Sequence, residues 1–172
     1  TIKGISMGAG NKVIQNGNSD YALLAGNSIE VNGIINNDAI IAGNIVTIKD
    51  TAKISRDIII AASDVEINGI IDRNISIYAS KVTIKNAEIK GNAKLYVNKI
   101  DVLKDAKVNG TLSYPEDSNY TVEKGAIIGK TVKTDAIQTE DDENFFATVS
   151  AKIWSFLCLS LVFAVISLIF PA

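Results

Sequence analysis

The sequence predicts an all-β fold, a right-handed parallel β-helix of about 17–19 residues per coil, followed by a C-terminal transmembrane α-helix. Three observations predict it. A unit of two short β-branched runs and a turn recurs along the chain, its period stays near 17 residues, and an uncharged apolar run of 18 residues lies at 153–170. Composition agrees. Among 172 residues there are 12 Gly but only two Pro, one Trp and one Met, and the Ile, Val, Asn and Gly that dominate are strand and turn formers.

The unit is plainest at residues 57–73, DIIIAASDVEINGIIDR. Val65-Glu66-Ile67 alternates in, out, in, as a strand does when one face is buried. Ala61-Ala62-Ser63-Asp64 reads as a small-residue corner and Asn68-Gly69 as a sharp turn. Ala-Gly-Asn marks the equivalent corner at Ala9, Ala25 and Ala42, and Ala61-Ala62-Ser63, Tyr78-Ala79-Ser80 and Tyr96-Val97-Asn98 continue the series. Four residues after each first member stands a β-branched residue: Val13, Ile29, Val46, Val65, Val82 and Ile100. Two further on come Gln15 and then Val31, Ile48, Ile67, Ile84 and Val102. The steps between the first anchors are 16, 17, 19, 17 and 18. A repeat this short leaves no room for a helix and suits one solenoid turn of three short strands and three corners. Coils stack at about 4.8 Å, so these residues form an inward Ile/Val ladder. Asn11, Asn27, Asn44, Ser63, Ser80 and Asn98 form a column at one corner, expected to bond to one another and to turn backbone. Left-handed hexapeptide helices keep strict six-residue units; the drifting steps here favour the right-handed form.

The domain reading is a β-helix over 1–130, a polar and acidic linker over 131–150 and a membrane helix over 151–172. Residues 111–130 depart from the pattern at Tyr114-Pro115 and an acidic loop, then return with Tyr120, Val122, Ala126 and Ile128 at core columns, as a terminal coil would. The membrane anchor comprises Ile153, Trp154, Phe156, Leu157, Leu159, Leu161, Val162, Phe163, Val165, Ile166, Leu168, Ile169 and Phe170. At about 1.5 Å per residue the run nearly spans a bilayer core, and Trp154 and Lys152 suit its interface. The lipid bilayer is therefore the first expected partner. The chain opens on Thr1 rather than Met, so residues upstream are expected, and more helices are expected beyond 172.

Chemistry is sparse. There is no His, which removes the commonest general base and metal ligand, and the single Cys158 lies in the apolar run. With 17 basic and 19 acidic residues no nucleic-acid footprint is expected. No cofactor or metal motif occurs, and no catalytic residue is assigned. Glu30 and Glu66 fall in one column with Thr47 between; two coils apart is about 10 Å, the outer limit for an inverting carboxylate pair. The expectation is no enzyme activity.

The coils NSIEVNGIIN, SDVEINGIID and KVTIKNAEIKGN, with their AGN corners, resemble the bactofilin-like, polymer-forming cytoskeletal family of bacteria over residues 9–130. DVLKDAKVNGTLSYPED and GAIIGKTV before a membrane segment are similar to its membrane-anchored branch. The resemblance implies a right-handed β-helix without catalysis that scaffolds the cell envelope. It also implies a solenoid outside the cytoplasm and self-association through the β-helix ends into oligomers or filaments. Two other classes stay open: an envelope module binding glycan or protein, and a degenerate carbohydrate-active enzyme.

Overall fold

The computed structural model describes residues 4–135. These residues form thirteen strands and no helix, wound into a parallel β-solenoid of about seven turns. The anchor residues at 153–170 lie outside the described residues. The solenoid belongs to one compact unit, Thr1–Ala136, with a continuous core of its own.

Each regular coil has one long strand and one two-residue strand. The long strands are β1 (Ile5–Gln15), β2 (Tyr21–Val31), β4 (Ala39–Ile48), β6 (Ile58–Ile67), β8 (Ile75–Ile84) and β10 (Ala93–Val102). The short ones are β3 (Ile34–Ile35), β5 (Lys53–Ile54), β7 (Ile70–Ile71) and β9 (Glu88–Ile89). Long strands pair in parallel from β1 to β10 and short strands from β3 to β9. Three faces result. The first holds the start of the long strand, the second its end, and the third the short strand.

The expected corner at Ala61-Ala62-Ser63-Asp64 does not break the strand. β6 runs through it, and Ala61 and Ala62 keep their pairing with Tyr78 and Ala79. Small residues let an extended backbone bend without steric clash, so the strand continues around the corner with only the Ser63 row left out of its pairing with β8. Its inward position is occupied by Gly26, Gly43, Ala62, Ala79 and Val97 in successive coils, a column that grows in size along the axis. A Cβ on Gly26 would stand 2.4 Å from the Gly10 carbonyl oxygen, so the narrow end admits nothing larger.

Inward columns from all three faces fill the interior. Leu24, Ile41, Ile60, Ile77 and Leu95 come from the first face, and Ile35, Ile54, Ile71, Ile89 and Val108 from the third, all buried. On the second face Ile29, Val31, Val46, Ile48, Val65, Ile67, Val82, Ile84, Ile100 and Val102 are buried, while Val13, in the first coil, is half-buried. Removing such a side chain from water stabilises by roughly 1.5–3 kcal/mol, and the parallel stacking repeats that gain coil after coil.

Past the first coil, coil length varies at one place. From second to third face the count is four from Val31 to Ile35, six from Ile48 to Ile54, five from Ile84 to Ile89 and six from Val102 to Val108. From third face to the next first face it is four from Ile35 onward, Ile35 to Ala39, Ile54 to Ile58, Ile71 to Ile75, Ile89 to Ala93 and Val108 to Leu112, and three only in the first coil, Ser19 to Ala22.

The two ends differ from the middle. β11 (Lys107–Pro115) starts on the third face against β9 and runs on into the first face against β10. The chain then breaks at Glu116-Asp117 before β12 (Asn119–Val122) covers β10, and β13 (Ile127–Thr134) covers β11. Pro115 is therefore not the end of the stack; it pairs with Thr134. Tyr114 and Tyr120 stack at 4.5 Å across this break, and burial raises the Tyr120 phenol above its usual value against an opposing hydrogen bond with Thr131. At the other end β1 keeps the repeat in its backbone but not in its filling. Ser6 and Gly8 lie under Ala22 and Leu24, and Gln15 and Ser19 are buried where other coils have Val or Ile. The Gln15 carboxamide donates to the Gly17 carbonyl and accepts the Gly33 N–H at 3.2 Å. The N-terminal coil, expected to be an ordinary repeat unit, has a partly polar interior.

Candidate functional site

The surface is built of outward columns, one set per face. On the second face Ile14, Glu30, Thr47, Glu66, Thr83, Asp101 and Thr121 lie in register. Glu30 and Glu66 are thus two coils apart, with Thr47 between. Each is tied to its own turn: Glu30 accepts from Asn32 Nδ2 at 2.9 Å and Glu66 from Asn68 Nδ2 at 2.8 Å. The Glu-x-Asn-Gly spacing brings the amide back to the carboxylate two residues earlier, which fixes the turn.

At the corner between third and first faces stands a ladder that the sequence reading missed. Asp38 Oδ1 accepts the Asp57 N–H at 3.1 Å, and Asp57 Oδ1 accepts from Asn74 N at 3.0 Å and Asn74 Nδ2 at 2.9 Å. Asn74 Oδ1 accepts the Asn92 N–H at 3.0 Å, and Asn92 Oδ1 the Thr111 N–H at 2.9 Å. Each side chain thus satisfies a backbone donor of the next coil where the corner interrupts the strand ladder. A signal was present: all four residues immediately precede an inward apolar residue, Ala39, Ile58, Ile75 or Ala93. The column expected to bond, Asn11, Asn27, Asn44, Ser63, Ser80 and Asn98, makes no such side-chain bonds; it is exposed and is the one row that drops out of the parallel pairing in every coil, while the strand on either side stays paired.

Charged side chains rivet the coils from outside. Asp72 Oδ1 lies 2.6 Å from Lys90 Nζ and Oδ2 lies 3.0 Å from Lys53 Nζ, joining three coils. The Lys90 contact holds the Asp72 carboxyl below its ordinary value, with burial opposing and Lys53 assisting. Asp72 in turn raises Lys90. Arg73 reaches Asp57 at 3.7 Å and Arg56 reaches Asp38 at 3.5 Å, so the corner carboxylates are also neutralised. A depression of about 330 Å³ lies over this corner, lined by Asp57, Asn74, Asn92, Ser76 and Lys94 among others. Its Asp and Asn side chains are the ladder itself.

Among the described residues no group of three or more His, Cys, Asp or Glu side chains is placed to hold a metal ion. None of their elements is a helix long and apolar enough to cross a membrane. Compared with known proteins, the chain matches no family model, no curated protein and no solved structure.

Proposed function

We propose that the chain is a non-enzymatic, membrane-anchored, right-handed β-helical scaffold of the bacterial cell envelope that assembles with copies of itself. The observation that carries the structural role is where the acidic side chains go. Asp38, Asp57 and Asp72 are each engaged by a neighbouring coil, and Glu30 and Glu66 by their own turns. A catalytic acid needs a raised pKa; Asp72 is held the other way. Right-handed winding is supported by unequal corners, with inward spacings of five between Ile60 and Val65 but four between Ile67 and Ile71 rather than uniform sixes. The anchor rests on the 18 uncharged residues of 153–170. Fractionation of bacteria expressing the chain tests the reading. The full chain is expected with membranes, released only by detergent, and a variant ending at Asn144 is expected to be soluble and β-rich. Electron microscopy of that variant examines assembly. Recovery of the full chain in the soluble fraction without detergent overturns the anchor, and polysaccharide turnover lost in Glu66→Gln overturns the non-enzymatic role.

A further inference from the structure

The first face shows two different exteriors. One outward residue lies between the inward pair of each coil, and these pair in register as Met7, Leu23, Ile40 and Ile59. They are 63, 42, 52 and 46 % exposed. Beside them runs a column of small residues, Ala9, Ala25, Ala42 and Ala61. Farther along, the sizes exchange. The first column becomes Ser76 and Lys94, and the second becomes Tyr78 and Tyr96, whose rings stack at 4.6 Å. The fold does not need apolar residues in the first column, since Ser76, Lys94 and Ser113 occupy it in later coils.

We infer that this face is a self-association surface, on which a second copy packs side by side about a two-fold axis parallel to the solenoid axis. Such an axis sets each coil against the same coil of its partner and exchanges the two columns. Met7, Leu23, Ile40 and Ile59 then meet the partner's alanine strip, Ser76 meets a tyrosine, and Lys94 lies over the Tyr96 ring, a cation–π geometry. Large meets small over the first five coils, which suits an isologous contact of a single surface with itself. No charged side chain falls in either column over the first four coils, so nothing like-charged is brought together there. Covering the four apolar knobs with Ile5, Tyr21 and Tyr96 removes roughly 700 Å² from each copy, against about 800 Å² per partner in a standard interface. Aligned sheets pack about 10 Å apart with side chains interdigitated. The inference rests on the self-assembly in the proposed function and names its surface; assembly that survives Ile40→Lys undiminished overturns this surface alone, and loss of the membrane anchor leaves it standing.

Sedimentation of the solenoid unit, residues 1–136, and of the full chain in detergent tests it, with thermal melts to verify folding. Ile40→Lys is expected to weaken the dimer at least about tenfold, with Ile40→Ser as the milder variant. Ala42→Leu separates a fitted interface from a merely sticky patch: it fills the partner's slot and is expected to weaken association, although it adds apolar surface. A wild-type monomer at every concentration overturns the inference, as does tighter association of Ala42→Leu. A solenoid unit that dimerises while the full chain does not overturns it in favour of the chain's own apolar tail. Vesicle binding lost in Ile40→Lys with the dimer intact overturns it in favour of lipid.

Discussion

The two turn corners of a coil differ in what receives their backbone. Between third and first faces, Asn74, Asn92 and Thr111 each give their N–H to a side chain of the preceding coil, and the spacing is constant from Ile35 onward. Between second and third faces the crossing N–H groups of the middle coils go to backbone carbonyls, Lys49 to Val31, Lys85 to Ile67 and Leu103 to Ile84, and side chains accept only near the two ends, Gln15 from Gly33 and Glu123 from Lys104. The longer turns add Asp50 and Thr51, or Lys104 and Asp105, which are exposed. They close on themselves through Ala52 N–H to the Lys49 carbonyl at 2.9 Å. Extra chain is absorbed where its polar groups reach water. Where side chains span coils, one added residue misaligns every bond in the ladder.

The largest effect concerns the core that both corners share. Ile67, which opens the variable turn, is fully buried. Ile67→Asp is expected to cost several kcal/mol through an unpaired buried charge and to abolish a cooperative melt, whereas Glu66→Lys stays near neutral; the reverse ranking in thermal melts would refute the register. Next comes the comparison itself. A glycine inserted between Arg73 and Asn74 is expected to lower the melting temperature severely. The same insertion between Asp50 and Thr51 costs less than about 1 kcal/mol, because loop closure depends weakly on length. Equal losses would erase the distinction between the corners.

Single bonds sharpen it further. Asn74→Ala leaves the Asn92 N–H without its acceptor and is expected to cost about 1–2 kcal/mol in denaturant unfolding. Asn68→Ala removes one exposed amide contact to Glu66 and should cost under about 0.5 kcal/mol. The smallest effect is on pH. Because the folded Asp72 carboxyl lies below its ordinary value near 4, its contribution is complete above that value. It fades as pH falls through the lowered one. Asp72→Asn should flatten this acid limb in melts between about pH 2 and 6, and an unchanged limb would remove Asp72 from the account.

The second face was legible because its inward residues alternate with polar ones, as in Val65-Glu66-Ile67. The first face was not. In Ile58-Ile59-Ile60 the outward residue is as apolar as its neighbours, so periodicity cannot say which side faces in. The third face offers two residues per coil, too few for any period. Asp57 and Asn74 read as ordinary turn formers, since the N–H groups that they or their equivalents accept belong to another coil. The paired columns of the first face are hidden for the same reason: Met7 and Ile59 become neighbours of one surface only after stacking.

A stack of near-identical coils carries a hazard of its own, pairing out of step by one whole turn, since each long strand offers much the same edge to any other. The column Gly26, Gly43, Ala62, Ala79, Val97 acts against this. A chain slipped one turn toward the narrow end would put the Ala62 methyl where Gly43 lies, a place in which a Cβ stands 2.7 Å from the Gly26 carbonyl oxygen, and the Val97 isopropyl group where Ala79 belongs. One slipped the other way would leave voids where Val97 should be. The taper thus numbers the coils, and an unfolded chain with seven similar pieces has one order in which they close.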